Sequence, residues 1–261
     1  MNTTVSQQVT HTANAQPRVA LVAITRHGAQ QAAGLARKMP QAHICVAEKF
    51  APLMEGLANP VHAYSGPLRD EIAALFTGFD QLVFFVSLGA VVRLVAPHLR
   101  SKDLDPGVLV VDDAAQFVIP VLSGHVGGAN AMAQAVAALL DAVPVLTTAS
   151  DVGQTVAVDI LGRELGWVLE APKINITRVS AHVVNGEPTA LVQEAGSSGW
   201  WTRPTALPDN IQLFTRFEDV DLGRFSAVLW ITHAHVPVAH WLALHERLVV
   251  YRPPLGQGAG A

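Results

Sequence analysis

Residues 116–140, QFVIPVLSGHVGGANAMAQAVAALL, carry the pattern from which the rest of the chain can be placed. Residues 116–122 have the Phe, Val, Ile and Leu of a buried strand. Residues 131–140 are rich in Ala and Leu and hold neither Gly nor Pro, which predicts a helix. Between them stand Ser123, Gly124, His125, Val126, Gly127, Gly128, Ala129 and Asn130, too rich in glycine and polar groups for a plain connection. The glycines let the backbone approach a ligand with no Cβ in the way. The helix that follows turns its first N–H groups back toward the loop, a setting that favours an anion.

Working outward, the same strand–loop–helix order repeats. Residues 18–24 (RVALVAI), 42–46 (AHICV), 81–86 (QLVFFV), 108–111 and 143–148 are expected strands. Residues 29–39, 68–77, 90–99 and 155–165 are expected helices, and 61–67 a loop or short strand. Residues 116–122 pair with 108–111 as a hairpin. The strands are apolar throughout with little alternation, as in a parallel sheet covered on both sides. The expected fold class is therefore α/β: an open, largely parallel sheet with helices on both faces, plus a smaller second α/β domain. Composition shifts near Ala171-Pro172, where a helix at 173–184 and strands at 189–193, 211–214, 227–231 and 248–251 begin the second domain. A long loop at 196–208 carries paired tryptophans. The division is a disordered tail at 1–17, domains at 18–171 and 172–252, and a flexible tail at 253–261.

Half of the 261 residues are hydrophobic, enough for a full core. A net charge of −4 argues against a nucleic-acid binder. The one cysteine, Cys45, cannot form an internal disulfide, in keeping with a reducing compartment. Residues 1–16 lack the features of a signal peptide, and the longest apolar run, 82–97, is broken by Ser87, Gly89 and Arg93. These features point to a cytoplasmic protein with no membrane partner.

Polar residues gather just after the expected strands: Thr25 and Arg26, then Ser87, Gly89 and Arg93, then Ser123 and His125, then Thr147, Thr148, Ser150 and Asp151. In an open sheet such loops converge on one crevice at the carboxyl ends of the strands. Arg93 lies in an apolar segment, where it either binds an anion or snorkels to the surface. Lys102 either faces an anionic substrate with Asp105 bracing its loop, or belongs to a solvated turn. His125 is either a general base or a group that ties the glycine turn together. Thr147, Thr148 and Asp151 either face the ligand or cap the next helix. Familiar motifs do not fit. GHVGGAN lacks the spacing of the dinucleotide fingerprint, no Walker lysine follows the glycines, and Ser123 is outside a Gly-x-Ser-x-Gly elbow. His233, His235, His240 and His245 have metal-like spacing but no completing cysteine or carboxylate, so no metal site is assigned.

The segments AITRHGA, SLGAVVRLVAPHLRSKDLDPGVLVVDD, FVIPVLSGHVGGAN and PVLTTASDV resemble the CbiG family, cobalt-precorrin-5A hydrolases of cobalamin biosynthesis. The resemblance covers residues 18–170 and continues more weakly through the central region. Residues 248–258 are similar to the start of a further carboxyl-terminal domain of that family. The resemblance implies a hydrolase of corrin metabolism. It would open the δ-lactone of a contracted tetrapyrrole and release a two-carbon fragment as acetaldehyde. It implies no resident cofactor, the cobalt being carried by the substrate. His125 and Asp151 are the catalytic candidates. Gly89, Arg93, Lys102, Ser123, Gly124, Gly127, Gly128, Asn130, Thr147 and Thr148 are the substrate-binding candidates, with the N–H groups of Gly127 and Gly128 facing the developing oxyanion. Expected partners are the corrinoid substrate, a separately encoded carboxyl-terminal counterpart and neighbouring pathway enzymes. The alternatives are a non-catalytic tetrapyrrole-binding protein of the same pathway and a nucleotide-dependent enzyme using the glycine loop as a phosphate cradle.

Overall fold

The computed structural model describes residues 16–256. The expected tails at 1–17 and 253–261 lie for the most part outside them. Packing divides the chain into two units, meeting at Thr147 and Thr148.

The first unit holds β1 (Val19–Ala23), α1 (Arg26–Ala36), β2 (His43–Ala47), β3 (Val61–Tyr64), α2 (Ile72–Gly78), β4 (Gln81–Phe85), α3 (Leu88–Val95), β5 (Gly107–Val111), β6 (Phe117–Leu122), α4 (Ala129–Leu140) and β7 (Val143–Pro144). They build a seven-stranded sheet in the order β3-β2-β1-β4-β5-β6-β7. Every pairing is parallel except β5 with β6, the expected hairpin. Alternate residues of the strands feed two separate cores. Leu21, Ile44, Val83 and Leu109 pack with α1 and α4 on one face, while Val22, Cys45, Phe84 and Val110 pack with α2 and α3 on the other. That is why the central strands β1, β4 and β5 are apolar almost throughout and buried at every residue: neither of their faces meets water.

The second unit holds α5 (Ala149–Val152), β8 (Val168–Glu170), α6 (Lys173–Val184), β9 (Thr189–Gln193), β10 (Ile211–Phe214), β11 (Ala227–Ile231), α7 (Val238–Ala243) and β12 (Leu248–Arg252). Its five strands run in the order β10-β9-β11-β12-β8, all parallel except β8. It too has a core on each face, one around Val179, Leu191, Leu229 and Tyr251, the other around Val192, Phe217, Trp230 and Leu248. Both units are thus α/β with mostly parallel sheets, as the sequence indicates.

Three local expectations change. The division at Ala171-Pro172 moves back to Thr147/Thr148, because residues 168–170 hydrogen-bond to β12 and so belong to the second sheet. The expected strand at 143–148 shrinks to Val143–Pro144. The expected helix at 155–165 is absent, and a single 3-10 turn forms at Arg163–Leu165. Gly162 there has a φ of +71°, and a Cβ on it would lie 2.0 Å from the Trp167 ring. The left-handed Gly162 prevents a helix from running through to residue 165, and the Trp167 ring packs against it.

Both tyrosines of the chain, Tyr64 and Tyr251, are buried. Burial, with the nearby Cys45 and Glu71 charges, pushes the Tyr64 phenol up to about 12. Burial, then the Asp159 charge, pushes Tyr251 well above its usual value, and its hydroxyl donates to the Val158 carbonyl at 2.7 Å. A raised acid keeps its proton in the native state where the unfolded chain releases it. Stability therefore falls as pH rises above the ordinary phenol value of ~10. In an alkaline titration followed by phenolate absorbance, no step is expected near that pH, and both phenols should ionise together with loss of the fold. A free step near the ordinary value would contradict the buried placement.

Candidate active site

The loop from Ser123 to Gly128 is tightly folded on itself. Ser123 sits at a φ of +54°, unusual for a residue with a Cβ, and its Oγ is buried without a hydrogen-bond partner. Gly128, at +79°, is the N-cap of α4. Two other glycines are needed for space. A Cβ on Gly127 would lie 2.2 Å from the Ser123 Cβ, and one on Gly124 would lie 2.7 Å from Oδ1 of Asn130. Asn130 is itself buried in the first turn of α4.

Backbone hydrogen bonds explain the shape. The N–H groups of Gly128, Ala129 and Asn130 donate to the carbonyls of His125 (2.9 Å), Ser123 (3.2 Å) and Asn130's partner Gly124 (3.0 Å). The loop thus caps its own helix, meeting the need of the first turn for acceptors. This corrects the expected oxyanion pair. The Gly128 N–H is already committed, whereas the Gly127 N–H has no acceptor among the described residues. The Gly127 carbonyl accepts from Nε2 of Gln81 at 2.5 Å.

The crevice expected at the carboxyl ends of the strands is also corrected. Because β6 is the return strand of the hairpin, Leu122 pairs with Val108 at the start of β5, and Gly107 pairs with Gln81 at the start of β4. The glycine loop therefore lies at the amino-terminal edge of β4 and β5. The β7 strand runs parallel to β6, so Thr147 follows it toward that same edge, where it is exposed. The loop holding Lys102 leads into β5 from that side. Asp105 braces it by accepting the Arg100 N–H at 3.1 Å, and Lys102 is exposed.

Gly89 and Arg93 are on α3, which leaves the opposite, carboxyl end of β4. Arg93 is exposed, and its guanidinium folds back on the Gly89 carbonyl at 2.8 Å. Thr25, after β1, accepts the Gly28 N–H at 3.0 Å as the N-cap of α1. These residues do not share the edge of the glycine loop. Arg93→Ala should accordingly change catalytic efficiency by no more than about twofold, as for an exposed residue outside a site. A loss of tenfold or more in steady-state assays would restore Arg93 to the site.

Asp151 and Thr148 belong to the second unit. Thr148 is the N-cap of α5 and donates its hydroxyl to Oδ2 of Asp151, while Oδ1 pairs with Arg203 at 2.9 Å. The pair is largely shielded, with side-chain exposures of 24% for Arg203 and 18% for Asp151. Arg203 also lies over the Trp201 ring at 5.9 Å. Sequence reading passed over Arg203, and the only signal was its position beside the paired tryptophans. It missed Gln81 as well, a polar side chain only 4% exposed at the head of a strand. The second-unit histidines scatter. His233 contacts the Pro253 carbonyl at 3.2 Å, His240 packs against Phe217 and Trp230, and His245 lies 3.9 Å from Glu246. Among the described residues no three side chains that could hold a metal converge, and no helix is long and apolar enough to cross a membrane.

Two family descriptions match the chain: Cobalamin synthesis G N-terminal over residues 70–151, and Cobalamin biosynthesis central region over residues 156–253. The chain is 42% identical over 234 residues to a protein of Priestia megaterium named cobalt-precorrin-5A hydrolase, covering 90% of this chain and 62% of that one. It is 30% identical over 244 residues to a Salmonella typhimurium protein of the same name, covering 88% and 64%. A solved structure of a cobalamin biosynthesis protein G homolog from Sulfolobus solfataricus aligns at 20% identity with a TM-score of 0.47, over 90% of this chain and 60% of that one. The chain thus spans somewhat under two thirds of the length of these relatives. On the two family matches and the 42% identity, the chain belongs to the CbiG family, of which it carries the amino-terminal and central regions.

Proposed function

We propose that this chain is a hydrolase that opens the δ-lactone of cobalt-precorrin-5A, a contracted tetrapyrrole, with release of a two-carbon fragment as acetaldehyde. The observation that carries the reading is the 42% identity, over 90% of the chain, to a protein named cobalt-precorrin-5A hydrolase. The glycine loop suits the chemistry. Lactone opening needs a base to activate water and a donor for the oxyanion that develops on the carbonyl. His125 is the base in this reading. The Gly127 N–H is the donor, since it is not engaged in capping α4. Lys102, on the loop that leads to the same edge, attracts the acidic arms of the substrate. No resident cofactor takes part, and the cobalt arrives in the substrate. The cytoplasm is the proposed location.

The test is to incubate the purified chain with the lactone intermediate while acetaldehyde is assayed and the ring-opened product is followed by mass. Turnover at many equivalents per protein is the expected result. Tight corrinoid binding without acetaldehyde would replace this reading with that of a non-catalytic tetrapyrrole carrier. Gly128→Val bears on the same loop, because a β-branched residue is strained at a φ of +79° and its Cβ would stand 3.1 Å from Nε2 of Gln81. That variant should lose turnover, and a folded Gly128→Val protein with normal rates would remove the loop from the mechanism.

A further inference from the structure

We propose that Gln81 is a positioning residue for His125, acting through the peptide bond between Gly127 and Gly128; the proposal rests on the reading of His125 as the base. Gln81 opens β4, while the glycine loop leaves β6, two strands away. Its side chain crosses the intervening strand at Gly107, its register partner in β5. Any Cβ on Gly107 would lie 2.1 Å from the Gln81 Oε1, so the crossing requires glycine there. On the far side, Nε2 donates to the Gly127 carbonyl at 2.5 Å. The N–H of that same peptide unit, belonging to Gly128, donates to the His125 carbonyl at 2.9 Å. A continuous chain of two hydrogen bonds and one peptide plane thus runs from the sheet to the backbone of His125, and each bond polarises the next.

The cost of this arrangement argues for its use. Gln81 is 4% exposed, and its Oε1 is buried with no donor. An unsatisfied buried acceptor destabilises the fold, whereas an apolar side chain of similar length would fill the space without that penalty. A glutamine held at this position for packing alone would be a poor choice. What the amide adds is an NH2 donor group, and that group meets the loop.

The experiment compares the whole chain with Gln81→Met, which keeps the length and removes both polar atoms. Thermal unfolding, exchange of the Gly128 amide hydrogen and steady-state kinetics on the lactone are measured together. Gln81→Met should unfold within a few degrees of the wild type, because it removes the orphaned Oε1 but also takes the donor from the Gly127 carbonyl. The Gly128 amide should exchange at least about tenfold faster, reflecting the lost tether. Turnover should fall roughly 10–100-fold with KM unchanged, the pattern of a displaced catalytic group. A purely structural glutamine predicts full kcat in the folded fraction whatever the melting temperature, and that result overturns the proposal. Unchanged Gly128 exchange overturns it equally. Should Gln81→Met fail to fold, Gln81→Asn, one methylene too short to reach the loop, is judged by the same readouts. A wild-type chain that leaves the lactone intact would instead overturn the hydrolase reading, while the exchange measurement still decides whether the tether exists.

Discussion

His125→Asn should lower turnover of the lactone by roughly 10²–10⁴-fold, the usual contribution of a general base, while the protein stays folded. The reason to expect a folded variant lies in how the loop is held. One hydrogen bond that holds the turn comes from the His125 backbone carbonyl, which accepts the Gly128 N–H, and asparagine keeps that carbonyl. Asparagine can still offer a polar side chain but cannot take a proton near neutral pH. A base must be neutral to act, so the wild-type rate should rise with pH as the imidazole gives up its proton. The variant should lack that limb, and its residual rate should be nearly flat across it. Corrinoid affinity, measured by quenching of the chain's tryptophans, should change little. A variant that unfolds would show that the imidazole holds the turn. One that is folded and fully active would place the base elsewhere. Asp151 is then a weaker substitute, because both its oxygens are engaged, one by Thr148 and the other by Arg203.

Gly127→Ala should be the most damaging small substitution in the loop. The added methyl would stand 2.2 Å from the Ser123 Cβ and 2.8 Å from the Ser123 carbonyl oxygen, and neither is the end of a flexible side chain. That carbonyl also accepts the Ala129 N–H, so displacing Ser123 disturbs the first turn of α4. Overpacking of this kind costs about 1–3 kcal/mol. Moving a catalytic loop by an ångström can cost ~10²-fold in rate. The midpoint of urea unfolding should drop by the corresponding amount, and kcat/KM should fall by about that factor in protein still folded. Wild-type values for both would mean that Ser123 and Gly127 do not face each other across the turn.

The sequence identified the loop but gave its glycines another purpose. Three glycines among polar groups suggested open space for a ligand. In the structure Gly127 makes room for Ser123, Gly124 for Asn130, and Gly107, outside the loop, for Gln81. A sequence shows where a Cβ is absent. Which atom occupies the vacated space depends on partners far along the chain, and 46 residues separate Gln81 from Gly127.

Strand and helix identity are local matters, and there the chain is explicit. Runs such as LVFF at 82–85 and VLVV at 108–111, short and rich in β-branched and aromatic residues, read as strands buried on both faces, and the helix at Lys173–Val184 was legible to the residue. The miss at 155–165 is local as well: apolar spacing outweighed Gly162, whose left-handed backbone ends any helix. The edge on which the site lies is not a local matter. Residues 116–122 read as a strand in either direction, and even their pairing as a hairpin was foreseen. That hairpin, with Leu122 opposite Val108, carries the glycine loop back to the amino-terminal edge of β4 and β5, away from Gly89 and Arg93, once β5 is set parallel beside β4. The same holds for the second unit, where residues 168–170 carry no signal of their own and join its sheet because β12 offers them a free edge. Sequence by itself determined the α/β class and located the glycine loop that carries the candidate His125. Tertiary pairing decided which groups stand around that loop, because hydrogen-bond register and side-chain reach across strands are set between residues that the sequence keeps far apart.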